Sequence, residues 1–172
     1  MQKGYVQVYT GNGKGKTTAM LGQAMRASGA GLKVYIGQFV KSMEYHEVNV
    51  IRDLLPNITI ELYGHGCTIA RDVNEEDILA AKVGIRRIKE VISSGEYDVV
   101  MLDEVNIAVY LKLLEVSDVL GVIKTKLENV ELVLTGRYAA AEIIEAADLV
   151  TEMVEVKHYY SKGVEPRNGV ER

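Results

Sequence analysis

Six apolar runs of strand length recur along the chain, and segments with helical periodicity separate them. Most of the runs lack strict alternation with polar residues, which is typical of interior strands in a parallel sheet that helices cover on both faces. The runs span residues 5–9, 33–39, 58–62, 97–102, 130–135 and 148–156. Because strand and helix alternate within one domain, the pattern predicts an α/β fold with a mainly parallel sheet and helices on both faces.

Three of the segments between the runs carry clear helix signals. From residue 74 to residue 93, Ile and Ala recur at three- and four-residue steps, and Asn74 is the expected N-cap. A second helix is predicted over 16–28, and a third over 116–127 with Ser117 as its expected N-cap.

Two segments, 63–73 and 157–172, show neither pattern. Ligands of doubly wound α/β folds bind beyond the carboxyl ends of the strands, where such irregular connections lie. Both segments are therefore candidate substrate loops.

Length and charge restrict the class of protein. A chain of 172 residues suits one domain, so 1–172 is expected to form a single unit. With 20 Lys and Arg against 24 Asp and Glu, the net charge is −4, and no basic run occurs. A general nucleic-acid binder is not expected, because its affinity comes from basic side chains that neutralise phosphates. No run approaches the roughly 18 apolar residues of a membrane span, so no membrane contact is expected.

Cysteine usage and the N-terminus bear on the compartment. The single cysteine, Cys67, cannot form an internal disulfide, and the N-terminus lacks the apolar stretch of a secretion signal. Both observations favour the cytoplasm. His65 and Cys67 have no matching Cys or His pair, so they do not form a zinc pattern.

The strongest local signal is the segment TGNGKGKTT, which follows the first apolar run and opens the 16–28 helix. Its glycines allow backbone N–H groups to turn inward around an anion, and the helix N-terminus adds partial positive charge. Lys16 is expected to bridge phosphate oxygens, and the Thr17 hydroxyl is expected to bind a magnesium ion. Thr10 stands where the G-x-x-x-x-G-K-[ST] pattern has its first glycine, so the phosphate chain is expected to lie in a different sense. The alternative is a glycine-rich turn without a ligand.

The predicted phosphate-binding residues of this loop are Gly11, Asn12, Gly13, Lys14, Gly15, Lys16, Thr17 and Thr18.

Two carboxylates, Asp103 and Glu104, end the fourth apolar run in the form of a Walker B element. One is expected to hold magnesium directly or through water, and the other to orient a water or a metal ligand. Asn106 either adds a polar contact or caps the helix that begins there. An acidic pair after a strand also occurs by chance, so the prediction depends on the glycine-rich loop.

Two arginines are candidate phosphate ligands. Arg137 ends the fifth run in Thr-Gly-Arg, where a guanidinium faces the ligand crevice and suits bidentate phosphate binding. Arg26, on the helix that follows the loop, is the second candidate. For each of them the alternative is a solvated surface charge.

Taken together, these segments resemble the ATP:corrinoid adenosyltransferase family of the phosphate-loop type, which acts on cobalamin and its precursors. The resemblance spans nearly the whole chain and is carried by residues 11–29, 37–41, 99–108, 132–137, 147–153 and 157–171. It implies a RecA-like fold and transfer of the 5′-deoxyadenosyl group of ATP to the cobalt of reduced cob(I)alamin or a related corrinoid. Triphosphate is the leaving group.

The resemblance also assigns roles to residues. It implies that Lys16, Glu104 and Arg137 are catalytic and that Arg26 and Arg137 contact phosphates. It implies that Thr17, Glu104 and Asp103 hold Mg²⁺. It further implies that ATP is the co-substrate and a reduced corrinoid the substrate, and that the nucleotide lies reversed relative to other phosphate-loop proteins. By the same resemblance, a homodimer is expected, and a flavoprotein is a candidate for the reductant that delivers cobalt(I).

The chain departs from the family pattern at three places. Cys67 and Ile69 stand where members commonly carry the two aromatic residues of a G-F-x-W segment that helps to seat the corrinoid. Ser42 replaces a glycine, and the first strand starts without the N-terminal segment that covers the corrinoid in some members. Two other functions stay open: a small-molecule kinase or NTPase that releases ADP, and a nucleotide- or corrinoid-binding module without turnover.

Overall fold

A computed structural model describes residues 2–41, 46–64 and 72–171. Six parallel strands form one sheet in the order β3-β2-β4-β5-β1-β6. The strands are β1 (Val6–Thr10), β2 (Val34–Phe39), β3 (Ile58–Tyr63), β4 (Val99–Asp103), β5 (Glu131–Thr135) and β6 (Leu149–Glu152). All six apolar runs therefore overlap a strand, and the predicted parallel sheet is confirmed.

In the described ranges, six α-helices connect the strands. They are α1 (Lys16–Gly29), α2 (His46–Leu54), α3 (Glu75–Ser94), α4 (Val105–Tyr110), α5 (Val116–Thr125) and α6 (Ala141–Glu145), and a short 3-10 helix follows over Tyr159–Lys162. Helices α1, α3 and α5 confirm the three predicted ones. The others have nine residues or fewer and present too little periodicity to stand out in the sequence. None of the described helices is long and apolar enough to cross a membrane.

The helix caps were predicted correctly in one case and wrongly in another. Asn74 caps α3, because its side chain accepts the Asp77 N–H at 3.0 Å and the Asp77 carboxylate accepts the Asn74 N–H at 2.9 Å. Ser117 is not the N-cap of α5. Glu115 occupies that position, and its N–H donates to Asp118 at 3.1 Å.

Two hydrophobic clusters cover the two faces of the sheet. Along β4, Val99 and Met101 belong to the cluster that contains buried residues of α1 and α2. Val100 and Leu102 belong to the cluster that contains buried residues of α3, α4, α5 and α6. Because side chains alternate between the faces of a strand, this division shows that helices lie on both faces, as predicted.

The last strand differs from its prediction. The run 148–156 was expected to resemble the buried strands, but only Leu149–Glu152 is a strand, and all four of its residues are exposed. Beyond it, Val154 and Val156 are exposed by 67% and 85%. Edge position alone does not explain this, since β3 at the other edge contributes Ile58, Ile60 and Tyr63 to the two clusters. None of the four β6 residues belongs to either cluster, so this strand pairs with β1 but its side chains are not covered.

The strand order also determines where a site can form. β5 lies between β1 and β4, and β2 lies on the other side of β4. The loops that follow these four strands therefore leave the carboxyl edge of the sheet side by side.

Candidate functional site

The glycine-rich loop lies between β1 and α1, as predicted, and its backbone packs against the chain that follows β6. Gly13 donates its N–H to the Met153 carbonyl at 2.7 Å. A Cβ atom at Gly11 or Gly13 would lie 2.5 or 2.8 Å from the Met153 carbonyl oxygen, so both positions require glycine. Gly15, with φ +121°, precedes the first turn of α1.

Lys16 is folded into this loop. Its side chain is buried, and Nζ donates to the carbonyls of Gly11 and Gly13, each at 2.8 Å. Burial lowers the pKa of Lys16, and the nearby Arg137 charge lowers it further, whereas Glu104 and Asp103 oppose the shift. The ammonium is thus held at the centre of the loop, where an anion would be in contact with it.

The next part of the site is Asp103, at the end of β4. The carboxylate is fully buried and accepts hydrogen bonds on both oxygens. Oδ1 accepts from Thr17 Oγ1 at 2.9 Å and from Thr135 Oγ1 at 2.7 Å. Oδ2 accepts from Gln38 Nε2 and from Lys41 Nζ, each at 3.1 Å. Four side chains, from β2 and the loop after it, from β5 and from the start of α1, therefore hold this one carboxylate, and together with it they form the Asp103 cluster.

Lys41 is a member of the cluster that the sequence analysis did not single out. Its Nζ also lies 3.4 Å from Thr17 Oγ1. Burial alone lowers the pKa of Lys41, but the charges of Asp103 and Glu104 outweigh it, and the net shift is upward. The sequence feature that indicates Lys41 is its position two residues after β2. Since β2 pairs with β4 and Gln38 lies opposite Asp103, a residue just beyond the end of β2 lies close to Asp103.

Glu104 begins the turn into α4 with a left-handed backbone, at φ +58°. For a residue other than glycine, this conformation costs on the order of 1–3 kcal/mol and persists only where the surroundings impose it. The Glu104 N–H donates to Thr135 Oγ1 at 3.0 Å, which ties the turn to β5. Burial raises the pKa of Glu104, and the neighbouring Asp103 raises it further, against Lys41, Lys16 and Arg137.

Arg137 comes directly after Gly136, where the backbone at the end of β5 lies close to α4. At Gly136, φ is +131°, and a Cβ atom would lie 3.0 Å from both Asn106 Cβ and the Ile107 nitrogen. Asn106 lies inside α4, so it is not the N-cap, and of its two predicted roles the polar contact is the correct one. Its Nδ2 donates to the Gly136 carbonyl at 3.4 Å.

These groups surround a cavity of about 710 Å³, a size typical of small-molecule sites. Of the predicted residues, it is lined by Gly13, Lys14, Gly15, Lys16, Thr17, Thr18, Glu104 and Arg137. Gly11, Asn12, Asp103 and Arg26 are not among the described residues that line it. Asp103 lies beneath the cavity and contacts the Thr17 hydroxyl. Arg26 is exposed in the last turn of α1, so the structure does not bring it into the cavity.

The predicted C-terminal loop supplies another wall of the cavity, which includes His158 and residues 169–171. Glu171 accepts hydrogen bonds from the Tyr159 hydroxyl and from the Arg167 N–H and guanidinium. The Arg167 and Tyr159 bonds lower the pKa of Glu171 to about 2. These three residues form the C-terminal cluster.

The C-terminal segment also contacts α2, since Asn168 Oδ1 and His46 Nε2 lie 2.5 Å apart. The other predicted substrate loop, 63–73, is largely outside the described residues. That gap includes Cys67 and Ile69, and Ser42 lies in the other one.

The residues present fit a magnesium ion held partly by phosphates. No group of three or more His, Cys, Asp or Glu in the described part of the chain could hold a metal alone. Magnesium in phosphate-binding sites needs only one or two side-chain oxygens, because waters and phosphates complete its shell. The Thr17 hydroxyl and the Glu104 carboxylate line the cavity, and the Lys41 ammonium beside Thr17 and Asp103 shows that a cation is accommodated there.

Comparison with known proteins gives consistent matches over the whole chain. The family model described as ATP:corrinoid adenosyltransferase BtuR/CobO/CobP matches residues 2–172. A corrinoid adenosyltransferase of Pseudomonas aeruginosa is 34% identical over 171 residues, which cover 99% of this chain and 84% of the relative. A corrinoid adenosyltransferase of Escherichia coli K12 is 33% identical to this chain. The corrinoid adenosyltransferase CobA of Salmonella typhimurium is 31% identical. Each match covers 99% of this chain and 86% of the relative.

Among solved structures, domain III of the Thermotoga maritima replication initiation protein DnaA aligns with a TM-score of 0.41 and 13% identity. The alignment covers 87% of this chain and 55% of that one.

Proposed function

The chain belongs to the ATP:corrinoid adenosyltransferase family, and from that premise we propose what its cavity does. It transfers the 5′-deoxyadenosyl group of ATP to the cobalt of a reduced cob(I)alamin or related corrinoid, and triphosphate leaves. The observation that carries this assignment is the convergence of the glycine-rich loop, Lys41, Glu104 and Arg137 on one cavity at the carboxyl edge of the sheet.

The chemistry explains why the cavity is rich in cations. The nucleophile is the cobalt of the substrate, so the protein need not supply one. Its task is to hold the 5′ carbon of ATP in line with cobalt and to stabilise the negative charge on the leaving triphosphate. Lys16 and Arg137 serve that purpose from two sides of the cavity, and the backbone N–H groups at the N-terminus of α1 add partial positive charge.

Mg²⁺ is the proposed metal ion, with Thr17 and Glu104 as its protein ligands. When bound, it would neutralise part of the charge on the triphosphate. Asp103 has a supporting role in this proposal, because it lies below the cavity and fixes the Thr17 hydroxyl through a 2.9 Å hydrogen bond.

The nucleotide is proposed to bind in the reversed sense. This proposal rests on family membership and on Thr10, which stands where the usual pattern has its first glycine and whose hydroxyl accepts the Ala139 N–H at 3.4 Å. A glycine at this position would lack that hydroxyl. The 5′ carbon would then lie towards Glu104 and Arg137, where the corrinoid must approach.

Several further assignments rest on family membership and on the sequence. We propose one ATP-binding adenosyltransferase domain over 1–172, a homodimer, a cytoplasmic location and a flavoprotein as the reductant. Gly11, Asn12 and Arg26 remain predicted nucleotide ligands. Arg26 would have to reach the phosphates from the last turn of α1.

The test is an anaerobic assay with chemically reduced cobalamin or cobinamide, ATP and magnesium. The cobalt–carbon bond is followed spectroscopically and the phosphate products by chromatography. We expect an adenosylated corrinoid and an equal amount of triphosphate. ADP without an adenosylated corrinoid would instead support a kinase or NTPase, which family membership does not favour, and ATP binding without product would support a binding module.

A further inference from the structure

The Lys41 ammonium occupies an unusual place at the floor of the cavity. It lies 3.1 Å from Asp103 Oδ2 and 3.4 Å from Thr17 Oγ1. The Asp103 side chain is fully buried, whereas Lys41 retains 19% exposure and lines the cavity. Lys41 therefore connects the buried carboxylate to the space where a ligand would bind.

The two oxygens that Lys41 contacts are of the kind that bind metal in phosphate-loop enzymes. In those enzymes, magnesium is held by the hydroxyl of the loop Ser or Thr and by the acid that ends a neighbouring strand. Here Thr17 donates its hydroxyl hydrogen to Asp103 Oδ1, so the remaining lone pairs of Thr17 Oγ1 are available to a cation. The ammonium is the cation that lies there.

A metal ion and the ammonium cannot hold these positions together. Magnesium binds oxygen at 2.0–2.1 Å, so an ion on Thr17 Oγ1 would lie within a few ångströms of Nζ. Two cations at that separation repel each other strongly where water is largely excluded. In the absence of any ligand, however, the buried Asp103 charge needs a compensating cation, because an uncompensated buried charge is strongly destabilising.

We propose that Lys41 is an internal substitute for the metal: its ammonium holds the cation position while the nucleotide is absent and moves to the phosphates when magnesium enters with ATP. The proposal rests on the proposed function only in taking magnesium and ATP as the ligands. It makes Lys41 a positioning residue that couples the binding of metal to the binding of nucleotide. By linkage, ATP must then tighten metal binding by the same factor as metal tightens ATP binding.

The test measures the binding of Mn²⁺ alone, followed by the electron paramagnetic resonance of the free ion, without nucleotide or corrinoid. We expect K41M, which removes the charge and keeps the length of the side chain, to bind Mn²⁺ about tenfold or more tightly than the wild type. K41R keeps the charge and should bind Mn²⁺ as weakly as the wild type. K14M is the matched control, because Lys14 lines the same cavity but is not among the described groups that contact Asp103.

Two outcomes would overturn the proposal. If K41M binds Mn²⁺ no more tightly than K14M, the lysine acts only through the general charge of the cavity. If the same titration, repeated with ATP present, shows that ATP tightens Mn²⁺ binding by the same factor in K41M as in the wild type, Lys41 does not couple the two ligands.

A second measurement uses the wild-type protein and does not depend on the folding of a variant. With ¹⁵N-labelled lysine, the ammonium hydrogens of Lys41 should be protected from exchange in the free protein and with magnesium alone. They should lose that protection when magnesium and ATP are added together. Loss of protection with magnesium alone would contradict the proposal, whereas failure of ATP to bind at all would contradict the proposed function instead.

Discussion

Two clusters of charged and hydroxyl groups border the same cavity, and they differ in their surroundings. In the Asp103 cluster, a fully buried carboxylate accepts hydrogen bonds from four side chains. In the C-terminal cluster, Glu171 is held by Tyr159 and by Arg167, whose side chain is 52% exposed. Buried polar networks are strong when fully satisfied and costly when broken, whereas exposed ion pairs are screened by water and salt.

This difference in burial indicates which wall of the cavity is pre-organised. The Asp103 cluster joins β2, β4, β5 and the start of α1, so it fixes the positions of Thr17 and Lys41 before any ligand arrives. The C-terminal cluster belongs to one segment of chain, which is tied to α2 by the His46–Asn168 contact. We therefore expect the first cluster to determine stability and chemistry, and the second to adjust access to the site.

A substitution that disrupts the buried Asp103 cluster should cause the greatest loss of stability. D103A removes the acceptor of four hydrogen bonds and leaves Lys41 without its buried partner, which should lower the free energy of unfolding by about 3–5 kcal/mol. Urea denaturation of the free protein measures this loss. E171A is the matched control in the C-terminal cluster and should lose far less stability, because the Arg167 side chain is 52% exposed and its pair with Glu171 is screened by water and salt. Equal losses for the two variants would remove the distinction between the clusters.

The second effect concerns ligand binding without loss of the fold. K16M keeps the length of the side chain but removes the cation at the centre of the loop, so ATP affinity should fall about 10²- to 10³-fold. Calorimetric titration with magnesium and ATP measures it. K162M, in the exposed 3-10 helix, serves as the control for net charge and should bind ATP normally. Undiminished affinity of K16M would contradict the assignment of the loop.

The third effect separates stability from activity at Glu104. E104Q should lower the rate of adenosyl transfer by about 10²-fold or more, since even the loss of an outer-shell partner of a metal ligand costs about 10- to 100-fold. It should also stabilise the free protein at pH 7, because the buried environment and Asp103 disfavour the Glu104 charge.

The sign of the pH dependence follows from the raised pKa of Glu104. Folded protein keeps this proton more tightly than the unfolded chain, so the wild type loses stability as pH rises above the ordinary value of 4.5. The stability advantage of E104Q should therefore be largest at neutral pH and shrink as pH falls towards 4.5. Thermal unfolding at several pH values measures this advantage, and one that grows on acidification would be inconsistent with the assigned environment.

The smallest effect lies in the exposed cluster. E171Q weakens the contacts to Arg167 and Tyr159, and we expect only a two- to threefold rise in the KM for ATP, about the size typical of exposed pairs. High salt should reduce the difference from the wild type, because it screens the Arg167 interaction. Because the pKa of Glu171 is lowered to about 2, the wild-type contact should persist on acidification until the pH approaches that value. A KM that changes by more than tenfold would mean that this cluster contributes to the chemistry.

Local patterns were sufficient to predict the parts of the molecule that depend on neighbours in sequence. The strands, the long helix α3 with its Asn74 cap, and the loop before α1 all follow from periodicity and from residues a few positions apart. The positions of Glu104 and Arg137 at the cavity also follow, because the carboxyl ends of parallel strands share one edge of the sheet.

Features that depend on strand order and register were not predictable in this way. Lys41 meets Asp103 only because β2 lies next to β4 with Gln38 opposite Asp103, and the sequence does not state that order. The exposure of β6 likewise depends on tertiary packing, since none of its four residues belongs to either hydrophobic cluster. The same holds for Arg26, whose position along α1 keeps it out of the cavity lining even though the loop before it lies where it was predicted.

The most direct test is a crystal structure of the protein with magnesium and ATP, which shows whether the triphosphate binds in the glycine-rich loop. We expect phosphates in contact with Lys16 and Arg137, a metal ion on Thr17 Oγ1 and Glu104, and Lys41 moved from Asp103 to the phosphates. The 5′ carbon should face Glu104. Triphosphate bound outside the loop, or a 5′ carbon directed away from Glu104, would contradict the account.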